Sequence, residues 1–184
     1  MPYSGSRLTA TEHQLPYSLP YDYSGVLRFL SIRALPGVES VDGGVYRRTF
    51  LFQQQQGVLE TSLNPAAQQV TVRLWYPDPA HAPEILTRVA RILGIDHDPA
   101  QAVEHLSADP LLEPLVSQRP GLRIPGAWDP FEVAVRAVTG QQVTLSTATA
   151  MVARAAKLCG TPLQAPEWEP LGLTRLFPEP AQLA

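Results

Sequence analysis

Apolar residues recur along this chain with a period that changes twice, from helical to alternating and back to helical. From Ser24 to Leu35, apolar Val26, Leu27, Leu30 and Ala34 share one helical face. Ser24 is placed to cap that helix, and Pro36-Gly37 to stop it. A strand rhythm follows: short Val38–Val41, aromatic Tyr46–Phe52, which alternates poorly, then Gly57–Leu63 and Gln69–Trp75, which alternate well. Asp42-Gly43-Gly44, the glutamine tract Gln53–Gln56 and Asn64-Pro65 separate them as turns, so an antiparallel meander is expected. The four glutamines are read as a solvated hairpin tip.

Helical spacing returns over Pro83–Leu93, closed by Gly94, and a further helix is expected over Pro99–Ala108. Prolines at 110, 114, 120, 125 and 130 then remove backbone donors and mark an extended connector. Beyond it, Phe131, Val135 and Val138 step by four and three. Leu145, Ala148, Val152, Ala155 and Leu158 repeat the pattern. Gly140 suits a left-handed stop between the two helices, and Thr144 suits the cap of the second. The tail has prolines at 162, 166, 170, 178 and 180. Two helices and such a tail do not close a core by themselves.

The expected fold class is therefore α+β: an N-terminal antiparallel sheet with flanking helices, followed by an incomplete all-α domain. The expected boundaries are a leader or linker over residues 1–19, the α+β domain over 20–115, and the start of a helical domain over 116–184.

Composition narrows the function classes. A net charge of −3 gives no general attraction to nucleic acid, and the only adjacent basic pair of note is Arg47-Arg48. The single cysteine, Cys159, excludes an internal disulfide and reads as a buried structural thiol at the end of an apolar helix face. No signal-peptide core or membrane-length apolar run occurs. His97, between Asp96 and Asp98, and His105 lack the convergent third ligand of a metal site. Glu39, Asp42 and Glu60 read as surface carboxylates. Phosphate-cradling, nucleophile-elbow and dinucleotide motifs are missing.

Two groups stand out chemically. Gln141 and Gln142 sit at the helix–helix break, where long amides are displayed to another molecule or serve as a plain polar turn. Phe29, beside Val26, Leu30 and Arg33 on the first helix, is by chemistry alone a core aromatic. Arg33 is, by chemistry alone, better read as one half of an ordinary surface ion pair.

The run Arg119–Gly126 (RPGLRIPG), then Asp129-Pro-Phe-Glu and Val135-Arg-Ala-Val-Thr-Gly-Gln-Gln-Val-Thr, resembles the start of the second domain of AlkA-type DNA-3-methyladenine glycosylases. These belong to the helix-hairpin-helix superfamily. Pro20-Tyr-Asp-Tyr, Phe29-Leu-Ser-Ile-Arg-Ala and Gly37-Val-Glu-Ser-Val extend the resemblance through the N-terminal half, so it spans nearly all of the chain from Leu15 onward.

The resemblance implies a sheet domain like half of the TATA-binding protein and hydrolysis of the N-glycosidic bond of alkylated bases after base flipping. It places Phe29 as an aromatic wall of the base pocket with Arg33 beside it. Gln141 and Gln142 fall at the turn that wedges into DNA, Gln142 standing where leucine is usual. The implied partner is alkylated double-stranded DNA, met by a cytoplasmic, nucleoid-associated monomer without metal or cofactor.

No residue after Gly160 resembles the hairpin or the aspartate that follows it, so no catalytic residue is assigned. The expectation is an N-terminal portion inactive alone. It also resembles the glycosylase part fused behind alkyltransferase-type regulators. The alternative is a non-enzymatic DNA-binding or interaction module derived from a glycosylase.

Overall fold

A computed structural model describes residues 10–184. Five strands form one antiparallel sheet in the order β1-β5-β4-β3-β2. They are β1 (Thr11–Pro16), β2 (Glu39–Asp42), β3 (Val45–Phe52), β4 (Gln55–Asn64) and β5 (Gln69–Trp75). Strands β2 to β5 are the expected meander. Its β2–β3 turn is short because Gly43 and Gly44, at φ 56° and 78°, adopt the left-handed backbone that a tight reversal needs.

Helices α1 (Tyr23–Ser31) and α2 (Ala82–Leu93) are amphipathic and lie over one face of the sheet. On β3 the side chains at Tyr46, Arg48, Phe50 and Phe52 alternate onto this face. Leu59 of β4 and Val70, Val72 and Leu74 of β5 join them, with Tyr23, Val26, Leu27 and Leu30 of α1 and Ile85, Val89, Ile92 and Leu93 of α2 above. Full burial of each such aliphatic or aromatic side chain contributes about 1.5–3 kcal/mol, so this layer dominates the fold's stability.

Helices α3 (Ala100–Ser107) and α4 (Glu113–Gln118) form a small outer pair with no fully buried residue. Helices α5 (Pro130–Thr139) and α6 (Leu145–Cys159) follow. Val152 and Ala156 of α6 share a second core with Leu35 and Val38. The helical pair therefore closes its core with the N-terminal half.

After Gly160 the chain returns to the opposite face of the sheet. Trp168 meets Trp75 edge to face at 4.6 Å between centroids, and Leu173 and Val58 complete a third cluster. A last turn, α7 (Pro180–Leu183), ends the chain.

Several sequence expectations are corrected. The stretch before Leu19 is not irregular throughout: Thr11–Pro16 pairs with Gln69–Leu74 as an edge strand, while Met1–Thr9 lies outside the described residues. Asp22, not Ser24, caps α1, accepting from the Gly25 amide at 2.8 Å, because a carboxylate offsets the positive end of a helix better than a hydroxyl. That helix ends at Ser31, and Leu35 belongs to the turn beyond it.

The proline-rich connector carries α4. Pro114 stands in its first turn, where a missing N–H is harmless. The glutamine tract is more than a solvated tip: the Gln164 amide donates to Gln56 Oε1 at 2.8 Å, and Gln56 Nε2 donates to the Pro162 carbonyl at 3.1 Å. Gly140 stays right-handed at φ −85°, and the left-handed residue of the break is Gln142 at φ 59°. Cys159 is half-buried, outside the core.

Candidate functional site

A cavity of about 480 Å³ opens where α1, the segment Pro125–Ala127, α5 and α6 converge. Phe29, Leu30 and Arg33 form one wall, and Val133, Ala137, Leu145 and Ala148 form the other. This volume suits a single heteroaromatic ring system, and the walls are largely apolar, as in small-molecule sites generally. The break between α5 and α6 holds the second wall in place, with Thr144 capping α6 by accepting from the Thr147 amide at 3.2 Å. Gly126 lets the connector approach α2 closely. A Cβ there would stand 2.8 Å from the Arg91 carbonyl oxygen.

Phe29, on α1, and Arg33, in the turn just beyond its end, are brought together. The Arg33 guanidinium carbon lies 3.7 Å above the Phe29 ring centroid, and its Nη1 donates to the Phe29 carbonyl at 3.3 Å. The ion pairs among the described residues do not include Arg33.

The floor of the cavity is a closed box of two guanidiniums and two carboxylates. Arg48 Nη2 donates to Glu132 Oε2 at 2.8 Å, and Arg136 donates to Glu132 Oε1 from Nε at 3.0 Å and Nη2 at 2.7 Å. Arg136 Nη2 also reaches Glu39 Oε2 at 2.7 Å, and its Nη1 donates to the Arg33 carbonyl at 2.9 Å. The Tyr46 hydroxyl and the Leu35 amide donate to Glu39 at 2.8 and 3.2 Å.

Glu132 is only 1 % exposed, and charge at that depth survives only when fully paired. Burial pushes the Glu132 carboxyl up, but the guanidiniums of Arg48 and Arg136 outweigh it and hold its pKa below the ordinary carboxylate range. Burial, reinforced by the Glu39 carboxylate, raises the Tyr46 hydroxyl well above its usual value. For Arg136, burial lowers the pKa, yet Glu39 and Glu132 leave it raised.

This box escapes the sequence expectations. Glu39 is not a surface carboxylate, and Arg47-Arg48 is not a free basic pair, since Arg47 is bound to Glu60 and Arg48 is buried. Glu60 is likewise half-buried in that pair, whereas Asp42 is exposed. The buried face of α5 is also turned: Glu132 faces inward, while Val138 is 68 % exposed. Two signals were available. Arg48 shares the parity of Tyr46, Phe50 and Phe52 on its strand, and Glu132 precedes Arg136 by four residues, one helical turn.

Gln141 and Gln142 are both exposed in the turn joining the two wall helices, between Ala137 and Leu145 but outside the lining itself. Asp129 serves as the cap of α5, accepting from the Glu132 amide at 2.9 Å. His97 bonds Asp96 at 2.9 Å. Among the described residues, no three His, Cys, Asp or Glu side chains gather as a metal site, and no helix is long and apolar enough to cross a membrane.

Comparison with known proteins identifies the family and the fold. The AlkA N-terminal domain family model matches residues 12–129. The probable bifunctional transcriptional activator/DNA repair enzyme AlkA of Mycobacterium tuberculosis is 37% identical over 171 residues, covering 93% of this chain and 34% of that protein. DNA-3-methyladenine glycosylase 2 of Escherichia coli is 34% identical over 173 residues, covering 94% of this chain and 57% of that protein. The chain thus spans between a third and about three-fifths of the length of these curated relatives.

In fold it is similar to the 3-methyladenine DNA-glycosylase from Archaeoglobus fulgidus, with a TM-score of 0.76 at 17% identity over 93% of this chain and 57% of that one. A second likeness is to MBOgg1, solved in complex with a low-affinity DNA ligand, with a TM-score of 0.63 at 18% identity over 100% of this chain and 56% of that one. The chain belongs to the AlkA N-terminal domain family, and the relatives named here are DNA repair enzymes and glycosylases.

Proposed function

We propose that this chain forms the base-receiving portion of a DNA base-excision repair glycosylase that acts on alkylated double-stranded DNA. The observation that carries this reading is the cavity walled by Phe29, lying between the sheet domain and the α5–α6 pair in a chain of this family. A base swung out of the duplex needs an apolar slot with an aromatic face, and an electron-poor alkylated ring gains more from that face than a normal base does. Gln141 and Gln142, exposed at the turn beside the cavity, enter the gap left in the stack and hydrogen-bond the orphaned partner base.

Hydrolysis of the N-glycosidic bond needs a carboxylate free to stabilise a sugar cation while water attacks. The carboxylates that line this cavity, Glu39 and Glu132, are both buried and both bound to guanidiniums. Neither is available, so the chain alone binds without cutting. The same lock favours the second reading, a glycosylase-derived module that binds alkylated DNA without hydrolysing it. The M. tuberculosis relative is named as both a transcriptional activator and a DNA repair enzyme, which supports a further proposal, association with a regulator.

The test is to incubate methylated duplex DNA with the purified chain and separate the released bases by chromatography. Release of 3-methyladenine at the protein-free level is expected. Release above it would mean that a carboxylate of this chain performs the hydrolysis.

A further inference from the structure

Resting on the reading of Phe29 as a base-stacking wall, we infer that Arg136 is a positioning residue for that wall. Through its pair with Glu39 it grips the main chain just after α1 and joins the two sides of the cavity. Arg136 and the residue whose carbonyl it holds, Arg33, are 103 residues apart in sequence.

The grip follows the polarity of the peptide chain. Helix α1 ends at Ser31, and the main chain beyond it turns towards β2. A carbonyl at a helix C-terminus lacks an intrahelical donor and favours a nearby cation. Arg136 Nη1 supplies both, donating to the Arg33 carbonyl at 2.9 Å. Further along the same turn, the Leu35 amide donates to Glu39 Oε2 at 3.2 Å, the oxygen that Arg136 Nη2 reaches at 2.7 Å. One ion pair thus holds a carbonyl and an amide of a single turn.

Both sides of the grip lead to the cavity. On α5, Val133 and Ala137 lie on either side of Arg136 in sequence and line one wall. On the other side, Arg33 reaches back to Phe29, with its guanidinium carbon 3.7 Å above the ring and its Nη1 donating to the Phe29 carbonyl at 3.3 Å. Arg136 is itself held on α5, because its Nε and Nη2 donate to Glu132 Oε1 at 3.0 and 2.7 Å. A shift of the turn therefore moves the aromatic wall relative to α5.

The guanidinium shape is what makes this possible. Its planar fork points donors at Glu132, Glu39 and the Arg33 carbonyl together. A lysine ammonium keeps the charge for the two carboxylates but gathers its donors on one nitrogen, so the carbonyl is released. Stacking depends on ring separation and offset, so a released wall discriminates less between an alkylated base and a normal one.

The experiment measures the affinity ratio of the 184-residue chain for two duplexes, one carrying a hydrolysis-resistant 3-methyladenine analogue and one unmodified. Wild type, Arg136→Lys, Phe29→Leu and the double variant are compared. Arg136→Lys is expected to cut a preference of about tenfold to about threefold or less. In the Phe29→Leu background it should change the ratio no further, because both substitutions act through one ring. A second readout needs no variant: with the modified duplex bound, the Arg136 Nη1 protons should show scalar coupling to the Arg33 carbonyl carbon.

An equal loss for both duplexes in Arg136→Lys, an unchanged ratio, or a missing coupling would overturn the grip while leaving Phe29 as the wall. A wild-type preference that survives Phe29→Leu, or no preference at all, would overturn the wall and the grip together.

Discussion

The Arg48 guanidinium and the Glu132 carboxylate, 84 residues apart in sequence, meet at 2.8 Å with both side chains buried. This pair ties strand β3 to helix α5, which carries part of the second wall of the cavity. Glu132→Gln should destabilise the protein by about 3 kcal/mol, the usual cost of leaving a buried guanidinium without its partner. Calorimetry should show Tm lower by roughly 6–12 °C. A change near zero would place little of the fold's stability in this pair.

The same carboxylate sets the acid limit. Its folded pKa is depressed, so its stabilising contribution is full above the unfolded value of about 4.3 and is lost as pH falls through the lower folded value. Asp22, held down by the Ser24 hydroxyl, the Gly25 amide and Arg119, acts with the same sign at the start of α1. Denaturant midpoints should be flat near neutrality and fall below about pH 4. The fall should be shallower in Glu132→Gln.

At the β3–β4 hairpin, Gln53 and Gln54 sit at φ 45° and 59° between the paired Phe52 and Gln55. This two-residue reversal needs left-handed backbone at both positions, which Asn-Gly adopts at less cost. Gln54 donates to Glu179 at a long, exposed 3.4 Å, which loses little. Replacing the pair by Asn-Gly should add about 1 kcal/mol and raise Tm by roughly 2–4 °C, readable by thermal melts.

Much of this architecture was legible in the chain. The meander strands announced themselves because each is bounded by Gly, Asn or Gln turns and faces an apolar layer. Strand β1 did not, because at the sheet edge its inward residues Thr11, His13 and Leu15 are only half-buried and mostly polar. Phe29 and Arg33 could be placed one turn apart, but not stacked. The charge box was hidden for a different reason: Glu39 and Arg48 read as surface residues until Glu132 and Arg136 are known to cover them. Helix α5 turned Glu132 inward while Val135 packs on the second core, and Val138 was left exposed.

Gln142 holds a left-handed backbone at φ 59° in an exposed turn where glycine would be relaxed. On the proposed role, its side chain is retained there for DNA. Gln142→Gly should leave stability within about 1 kcal/mol. It should also weaken binding to a duplex carrying an alkylated base by about tenfold, by analogy with other inserted side chains. Unchanged binding in a fluorescence anisotropy titration would remove Gln142 from the interface.

The central claim is that the Phe29 cavity receives a damaged base, and a comparison of two duplexes tests it most directly. One carries a single hydrolysis-resistant 3-methyladenine analogue, and the other is identical but unmodified. The chain should bind the modified duplex about tenfold more tightly, a difference of about 1.4 kcal/mol, and Phe29→Leu should abolish the preference. Equal affinity for the two duplexes, or a preference that survives Phe29→Leu, would contradict the account.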